Sequence, residues 1–232
     1  MQRGILQALL AAREATRPVV LFTPLDGSAQ RLLDADGLAL LALTDAPLAQ
    51  AARDALSSDR AAVVSSGGIE LLVTPQNPPL RLIIVGAVHI AEALCLMARA
   101  AGYAVTVIDP RSAFLRPDLF PQVQLVDQWP QQAFPSLRPD SRTAVVLLTH
   151  DPKIDDPALL AVLPTNAFYI GALGSTRTHA RRLERLAAAG VDESARSRIH
   201  GPAGLAIGAR TPAEIALSVL AQMTQRLRGA AP

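Results

Sequence analysis

Residues 82–109 read LIIVGAVHIAEALCLMARAAGYAVTVID, two short apolar runs joined by a glycine turn and an amphipathic stretch. The runs at 82–85 and 105–108 contain almost nothing polar, as expected of strands buried on both faces. Between them, residues 90–101 carry apolar side chains at helical spacing. Strand, helix and strand in this order form a right-handed crossover between parallel neighbours. Working toward the C-terminus, the rhythm recurs with apolar runs at 123–126, 144–148 and 167–173. The fold class this predicts is α/β, a doubly wound parallel sheet with helices on its faces. In such sheets ligands bind beyond the carboxyl ends of the strands, where the strand order reverses.

Toward the N-terminus the pattern changes at Pro75–Pro79, PQNPP, because proline resists both helix continuation and central-strand pairing. This predicts two domains: a smaller N-terminal α+β domain at 1–76, and the doubly wound domain at 77–232. The first is read as helices at 3–15 and 48–56, and strands at 19–23, 38–43, 61–64 and 69–73. Asp26-Gly27 and Ser66-Gly67-Gly68 read as turns. At the far end, Thr211-Pro212-Ala213-Glu214 combines a capping threonine, a proline at the first helical position and an acid three residues on. Ala216, Leu220, Met223 and Leu227 then form the packing stripe of a last helix. Asp156-Pro157 reads as another helix start.

Composition limits the function classes. Half of the 232 residues are hydrophobic and 18% are charged, which excludes a disordered chain. The net charge is only +2 and aromatics are 3%, so a nucleic-acid partner is not expected. The basic residues are concentrated instead: residues 176–200 hold six arginines against three acids. Cys95 is the only cysteine; it lies in the 90–101 helix and reads as a small buried apolar residue. One cysteine per chain fits a reducing compartment. No apolar run reaches the roughly 18 residues of a membrane span, and residues 1–18 lack signal-peptide features. A soluble, cytoplasmic protein is expected, with a two-fold homodimer as the commonest oligomer.

The candidate site residues fall at strand ends. Gly86-Ala87-Val88-His89-Ile90-Ala91 follows a strand and opens a helix, but Val88 occupies the position where a second glycine would let a pyrophosphate approach. Asp109-Pro110-Arg111 ends the next strand, where the acid could accept from ribose hydroxyls and Arg111 could grip an anion. Thr149-His150-Asp151 brings an imidazole and a carboxylate to the same rim, although neighbours in a strand point opposite ways. In FYIGALGSTRTHARRLERL, residues 168–186, Gly171 and Gly174 allow a tight turn, and Ser175, Arg177 and His179 stand at a helix start. Unpaired amides there, with the helix dipole behind them, favour a phosphate or carboxylate. The loop from His200 through Gly204 to Gly208 has glycines that permit close backbone approach to a ligand. All four histidines lie at such junctions without the spacing of a metal site, so polar ligand contacts are expected rather than metal binding. A surface turn or packing role is the structural alternative for each motif.

Taken together, GAVHIA, VIDPR, LLTHD, YIGALGSTRTHARRLERL and RIHGPAGLAIGARTPAEIALSVLAQM resemble the xanthine dehydrogenase accessory protein family, XdhC/CoxI. The resemblance covers roughly residues 80–228. It implies a Rossmann-like domain and a molybdoenzyme maturation factor that binds molybdenum cofactor (molybdopterin), assists its sulfuration and passes it to an apo hydroxylase such as xanthine dehydrogenase. A cysteine desulfurase is an implied partner, and the protein is a binding and delivery factor rather than an enzyme. The phosphate of the cofactor is expected near residues 174–177, with His89, Asp109, His150 and His200 lining the crevice. An NAD(P)-dependent oxidoreductase is the alternative, resting on the Gly86 turn and Asp109. In the N-terminal part the family often carries a GSxPR-type segment and a glycine-glycine-cysteine motif. Here those positions read Gly27-Ser28-Ala29-Gln30-Arg31 and Ser66-Gly67-Gly68-Ile69, without the cysteine.

Overall fold

The computed structural model describes residues 2–229 and divides into two compact units, Met1–Pro78 and Pro79–Pro232. The first unit contains α1 (Arg3–Glu14), β1 (Val19–Pro24), β2 (Arg31–Leu33), α2 (Ala35–Thr44), α3 (Ala46–Ser58), β3 (Ala62–Ser66) and β4 (Ile69–Gln76). Its strands form an antiparallel sheet in the order β2-β1-β4-β3. Val20, Phe22 and Val73 from this sheet bury against Leu38 and Leu41 of α2 and Leu48, Ala49, Ala52 and Ala55 of α3. Ser66 pairs with Ile69 across a two-residue turn in which Gly67 and Gly68 both have positive φ, 58° and 80°. A mirror-image hairpin turn requires that conformation, so this glycine pair closes β3 onto β4.

Two expectations for this unit are corrected. Residues 38–43 are helical, not a strand, because Asp34 caps α2 by accepting from the Gly37 amide, and Leu38 and Leu41 then share the buried face. A short apolar run cannot decide between the two by itself. The prolines at 75–79 do not all lie outside regular structure: Pro75 is in β4, opposite Val20 of β1. Asp45 ends α2 and caps α3, accepting from the Leu48 amide and the Ser66 hydroxyl, which hold its carboxyl below the usual range.

The second unit runs β5 (Arg81–Val85), α4 (His89–Ala100), β6 (Ala104–Ile108), a short 3-10 turn (Ser112–Phe114), β7 (Gln124–Val126), α5 (Pro130–Leu137), β8 (Thr143–Leu147), α6 (Pro152–Val162), β9 (Tyr169–Ala172), α7 (Thr176–Ala188), α8 (Glu193–Arg196), β10 (Ile199–His200) and α9 (Pro212–Arg228). All six strands are parallel, in the order β10-β9-β8-β5-β6-β7. The chain winds outward from β5 through β6 to β7, then returns to the other side of β5 for β8, β9 and β10. This is the order of a Rossmann-type sheet, with its reversal between β5 and β8.

Alternation along the strands supplies the two cores. Leu82, Ile84, Val105, Val107, Ala144 and Val146 face α4 and α9, while Ile83, Val85, Ile108, Val145 and Leu147 face α5, α6 and α7. Each face is closed by the buried stripe of a helix, such as Ala91, Leu94, Cys95 and Ala98 of α4. Complete burial of a leucine such as Leu94 is worth about 1.5–3 kcal/mol. The α9 start forms a full capping box: the Thr211 hydroxyl accepts from the Glu214 amide, and the Glu214 carboxylate accepts from the Thr211 amide. The expected start at Asp156-Pro157 is displaced. Asp151-Pro152 has the same acid-proline signature and begins α6 five residues earlier, so Asp156 and Pro157 lie inside the helix.

Candidate functional site

The crevice at the sheet's reversal is framed by the loops after β5, β6 and β8. Gly86 follows β5 with φ 111°, and a Cβ there would lie 2.7 Å from Thr149 Cγ2 and 3.1 Å from the Thr149 amide nitrogen. Only glycine lets these two strand ends approach so closely. The next amide, that of Ala87, donates to Asp109 Oδ2 at 2.9 Å. Asp109 also accepts from the Arg111 amide at 3.0 Å, Arg111 Nε at 2.9 Å and Arg111 Nη2 at 2.8 Å. Burial pushes this carboxyl up, but the Arg111 and Ala87 hydrogen bonds outweigh it and hold the acid below its usual range.

That geometry corrects the role expected for Asp109. The side chain is fully buried and its roughly four acceptor positions are taken, so no ribose hydroxyl can be received without breaking a bond. Arg111 remains partly exposed, its guanidinium lying 4.4 Å from the Phe114 ring centre. The same acid thus fixes the first turn and aims the arginine. His89 is at the start of α4, open to solvent, with Nδ1 3.1 Å from Glu92 Oε1.

After β8, Thr149 turns inward and His150 outward. The Thr149 hydroxyl donates to Asp155 Oδ1 at 2.5 Å and accepts from the Asp151 amide at 3.2 Å. His150 has φ 59° and is exposed at the rim. Asp151 caps α6 by accepting from the Lys153 amide at 2.9 Å, so its carboxylate serves the helix rather than the imidazole beside it. Behind this turn, Asp155 is 1% exposed and Arg182 of α7 is 2% exposed, with Asp155 Oδ2 and Arg182 Nη2 3.4 Å apart. Arg182 Nη2 also donates to the Leu173 carbonyl at 2.9 Å, whereas Nε and Nη1 are buried without a partner. Burial raises the Asp155 acid above its usual range.

The turn from β9 into α7 has the expected form at its end. Gly174 has φ 142°, and Ser175 caps α7, its hydroxyl accepting from the Thr178 amide at 3.1 Å. Arg177 is exposed and makes no ion pair or hydrogen bond among the described residues. His150 and Thr178 meet in one cleft with Pro152, Asp155, Arg181, Arg182 and Arg185.

Other expected contacts turn inward. Gly171 is a buried residue of β9, and a Cβ there would lie 2.6 Å from Tyr169 Cε1. It makes room for the Tyr169 ring, which stacks on His200 with centroids 4.9 Å apart and planes 6° from parallel. Gly204 has φ 102° and abuts Ser218 of α9, while its amide and carbonyl are both bonded to Gln222. Tyr169 completes this anchor, donating its hydroxyl to Gln222 Oε1 at 2.6 Å. His179 is half-buried against Gly201, and its Nδ1 has no partner. Burial lowers the tendency of both His179 and His200 to take up a proton. Among the described residues no group of three or more metal-ligating side chains converges, and no helix is long and apolar enough to cross a membrane.

Sequence reading assigned no role to Thr149, Asp155, Arg182, Tyr169 or Gln222. The basic run at 176–200 contains Arg182, but it does not reveal which arginine turns inward.

Residues 82–223 match the XdhC Rossmann domain family model. The chain belongs to the XdhC family. It is 36% identical over 147 residues to the molybdenum cofactor insertion chaperone PaoD of Escherichia coli K12, covering 63% of this chain and 40% of that one. It is 35% identical over 150 residues to a probable xanthine dehydrogenase subunit of Bacillus subtilis 168, covering 64% and 43%. The matched region thus spans about two fifths of the length of these relatives. The fold is similar to the crystal structure of a xanthine dehydrogenase from Bacillus halodurans, with TM-score 0.60 and 18% identity over 97% of this chain and 96% of that one.

Proposed function

We propose that this XdhC-family protein is a cytoplasmic molybdoenzyme maturation factor. It binds molybdenum cofactor, holds it while sulfur is introduced, and inserts it into a xanthine dehydrogenase or related hydroxylase. Family membership and the similarity to a named cofactor insertion chaperone support the class of function. The observation that carries the site is the β9–α7 turn. Gly174 and the Ser175 cap present the positive end of a 13-residue helix beside the unpartnered cation of Arg177. A terminal phosphate suits such a helix start. His89, Arg111 and His150 provide further polar contacts along the rim.

The saturation of Asp109 favours this reading over an NAD(P)-dependent oxidoreductase. Val88, in extended conformation before α4, also keeps its side chain where a dinucleotide turn needs a bare backbone. Sulfur is supplied by a partner of the cysteine desulfurase type. The chain's own thiol, Cys95, is 1% exposed, and burial pushes its pKa up to about 12.

The test is to purify the full chain from cells that make the cofactor, identify any bound pterin by mass spectrometry, and titrate the apo protein with molybdenum cofactor and with NAD(P). Cofactor retention is expected, and Arg177→Gln is expected to weaken it about tenfold, the worth of one charge-assisted hydrogen bond. Ser175→Gly, which costs only tenths of a kcal/mol as a cap, is expected to leave the fold intact. Micromolar NAD(P) binding without pterin affinity would overturn the reading.

A further inference from the structure

The cleft between α6 and α7 adjoins the helix start just described, Thr178 both lining it and bonding to the Ser175 cap. It has a volume of about 170 Å³ and is lined by His150, Thr178 and the arginines 181, 182 and 185, with Asp155 in its floor. Pockets for drug-sized ligands run from roughly 300 to 1,000 Å³, so this one suits a small charged group rather than a ring system.

Arg182 distinguishes the cleft from a solvated basic face. Its side chain is 2% exposed, yet two of its three nitrogens have no partner. A good arginine–carboxylate pair closes to about 2.7–2.9 Å. Asp155 instead remains at 3.4 Å from Arg182, because its other oxygen is held by the Thr149 hydroxyl at 2.5 Å. A buried charged donor left without an acceptor costs more than a neutral one, so the site gains by receiving an acceptor.

The neighbours add charge and donors. Arg185 is engaged by Asp156, at 2.5 Å through Nε and 2.9 Å through Nη2. Arg181 is exposed and has no partner among the described residues. Three guanidiniums therefore face two carboxylates, and the excess is positive before His150 is considered.

We infer that the α6–α7 cleft is a binding site for a phosphate-type tetrahedral oxyanion, held by Arg181 and Arg182 with His150 and Thr178 at its mouth. The oxyanion is either the free ion or the terminal phosphate monoester of a larger molecule. The inference does not depend on the molybdenum reading, since Arg182 needs an acceptor whatever the cargo.

The full chain, without pterin, is titrated with inorganic phosphate against chloride of equal ionic strength, by calorimetry and by thermal melting. A parallel series uses ribose 5-phosphate. Saturable binding of phosphate is expected, with sulfate competing. Arg181→Gln is expected to weaken binding about tenfold, the scale of a charge-assisted hydrogen bond. Arg210→Gln, outside the cleft, is expected to leave it unchanged. Arg182→Lys, which keeps the charge and loses donors, is expected to weaken it further; if that variant does not fold, the Arg181 comparison still decides. Tighter binding of the sugar phosphate identifies the monoester as the source, and tighter binding of phosphate identifies the free ion. No saturable binding of either, or equal affinity in wild type and Arg181→Gln, overturns the site.

Discussion

Asp109 is buried with four donors around its two oxygens, and its value to the fold depends on staying ionised. Breaking a fully buried ion pair costs about 3–5 kcal/mol, and an exposed pair about 1 or less. Arg111 is partly solvated, so Asp109→Asn is expected to cost about 2 kcal/mol at neutral pH, between these limits. The pH dependence has a definite sign. The folded acid is held below its unfolded value, so the stabilisation is complete above an unfolded pKa of about 3.9 and is lost as pH falls through the lower folded value. Denaturant unfolding at pH 7 and at stepwise lower pH checks this: the gap between wild type and variant closes on acidification. A gap that does not shrink as the pH is lowered past the unfolded value would reject the assignment. The sequence places an acid at the end of the second strand, where a ribose acceptor is expected. It cannot show that Arg111, two residues on, folds back to occupy that acid.

At the scale of elements, capping residues decide what apolar pattern leaves open. The runs at 82–85 and 144–148 are legible as strands because each is uniformly apolar and ends in a turn, and they correspond to β5 and β8. The run at 38–43 is equally apolar and becomes part of α2, since Asp34 and Asp45 supply the caps. Asp151-Pro152 competes with Asp156-Pro157 for the start of α6, and the earlier pair prevails because its acid is free to cap the amide of Lys153. Where caps and pattern agree, as in α9, the element is legible down to its first residue. Thr211→Ala removes one arm of that capping box and is expected to cost about 1 kcal/mol. In a domain of this size that lowers the melting temperature by about 2–4 °C. A calorimetric scan measures it, and an unchanged midpoint would show that α9 is held by Ala216, Val219 and Met223 alone.

For the whole molecule, the two units differ in what each can sustain alone. The unit Pro79–Pro232 has an apolar core on each face of its sheet and contains every candidate contact discussed above. A domain of about 150 residues buries roughly 70% of its unfolded surface, enough for independent folding. The unit Met1–Pro78 has one small core, near the size where a single core becomes marginal. Its β3–β4 hairpin reads Ser66-Gly67-Gly68-Ile69 and carries no thiol. If the maturation reading holds, residues 79–232 expressed alone should fold cooperatively and bind molybdenum cofactor within about a factor of three of the full chain, the coupling left between independent parts. Residues 1–78 alone should show a lower, broader melting transition and no cofactor binding. Parallel denaturation and cofactor titration of the two fragments measure both outcomes. A folded 79–232 fragment that has lost the cofactor would move the binding determinant into the N-terminal unit and remove the β9–α7 turn from its central place.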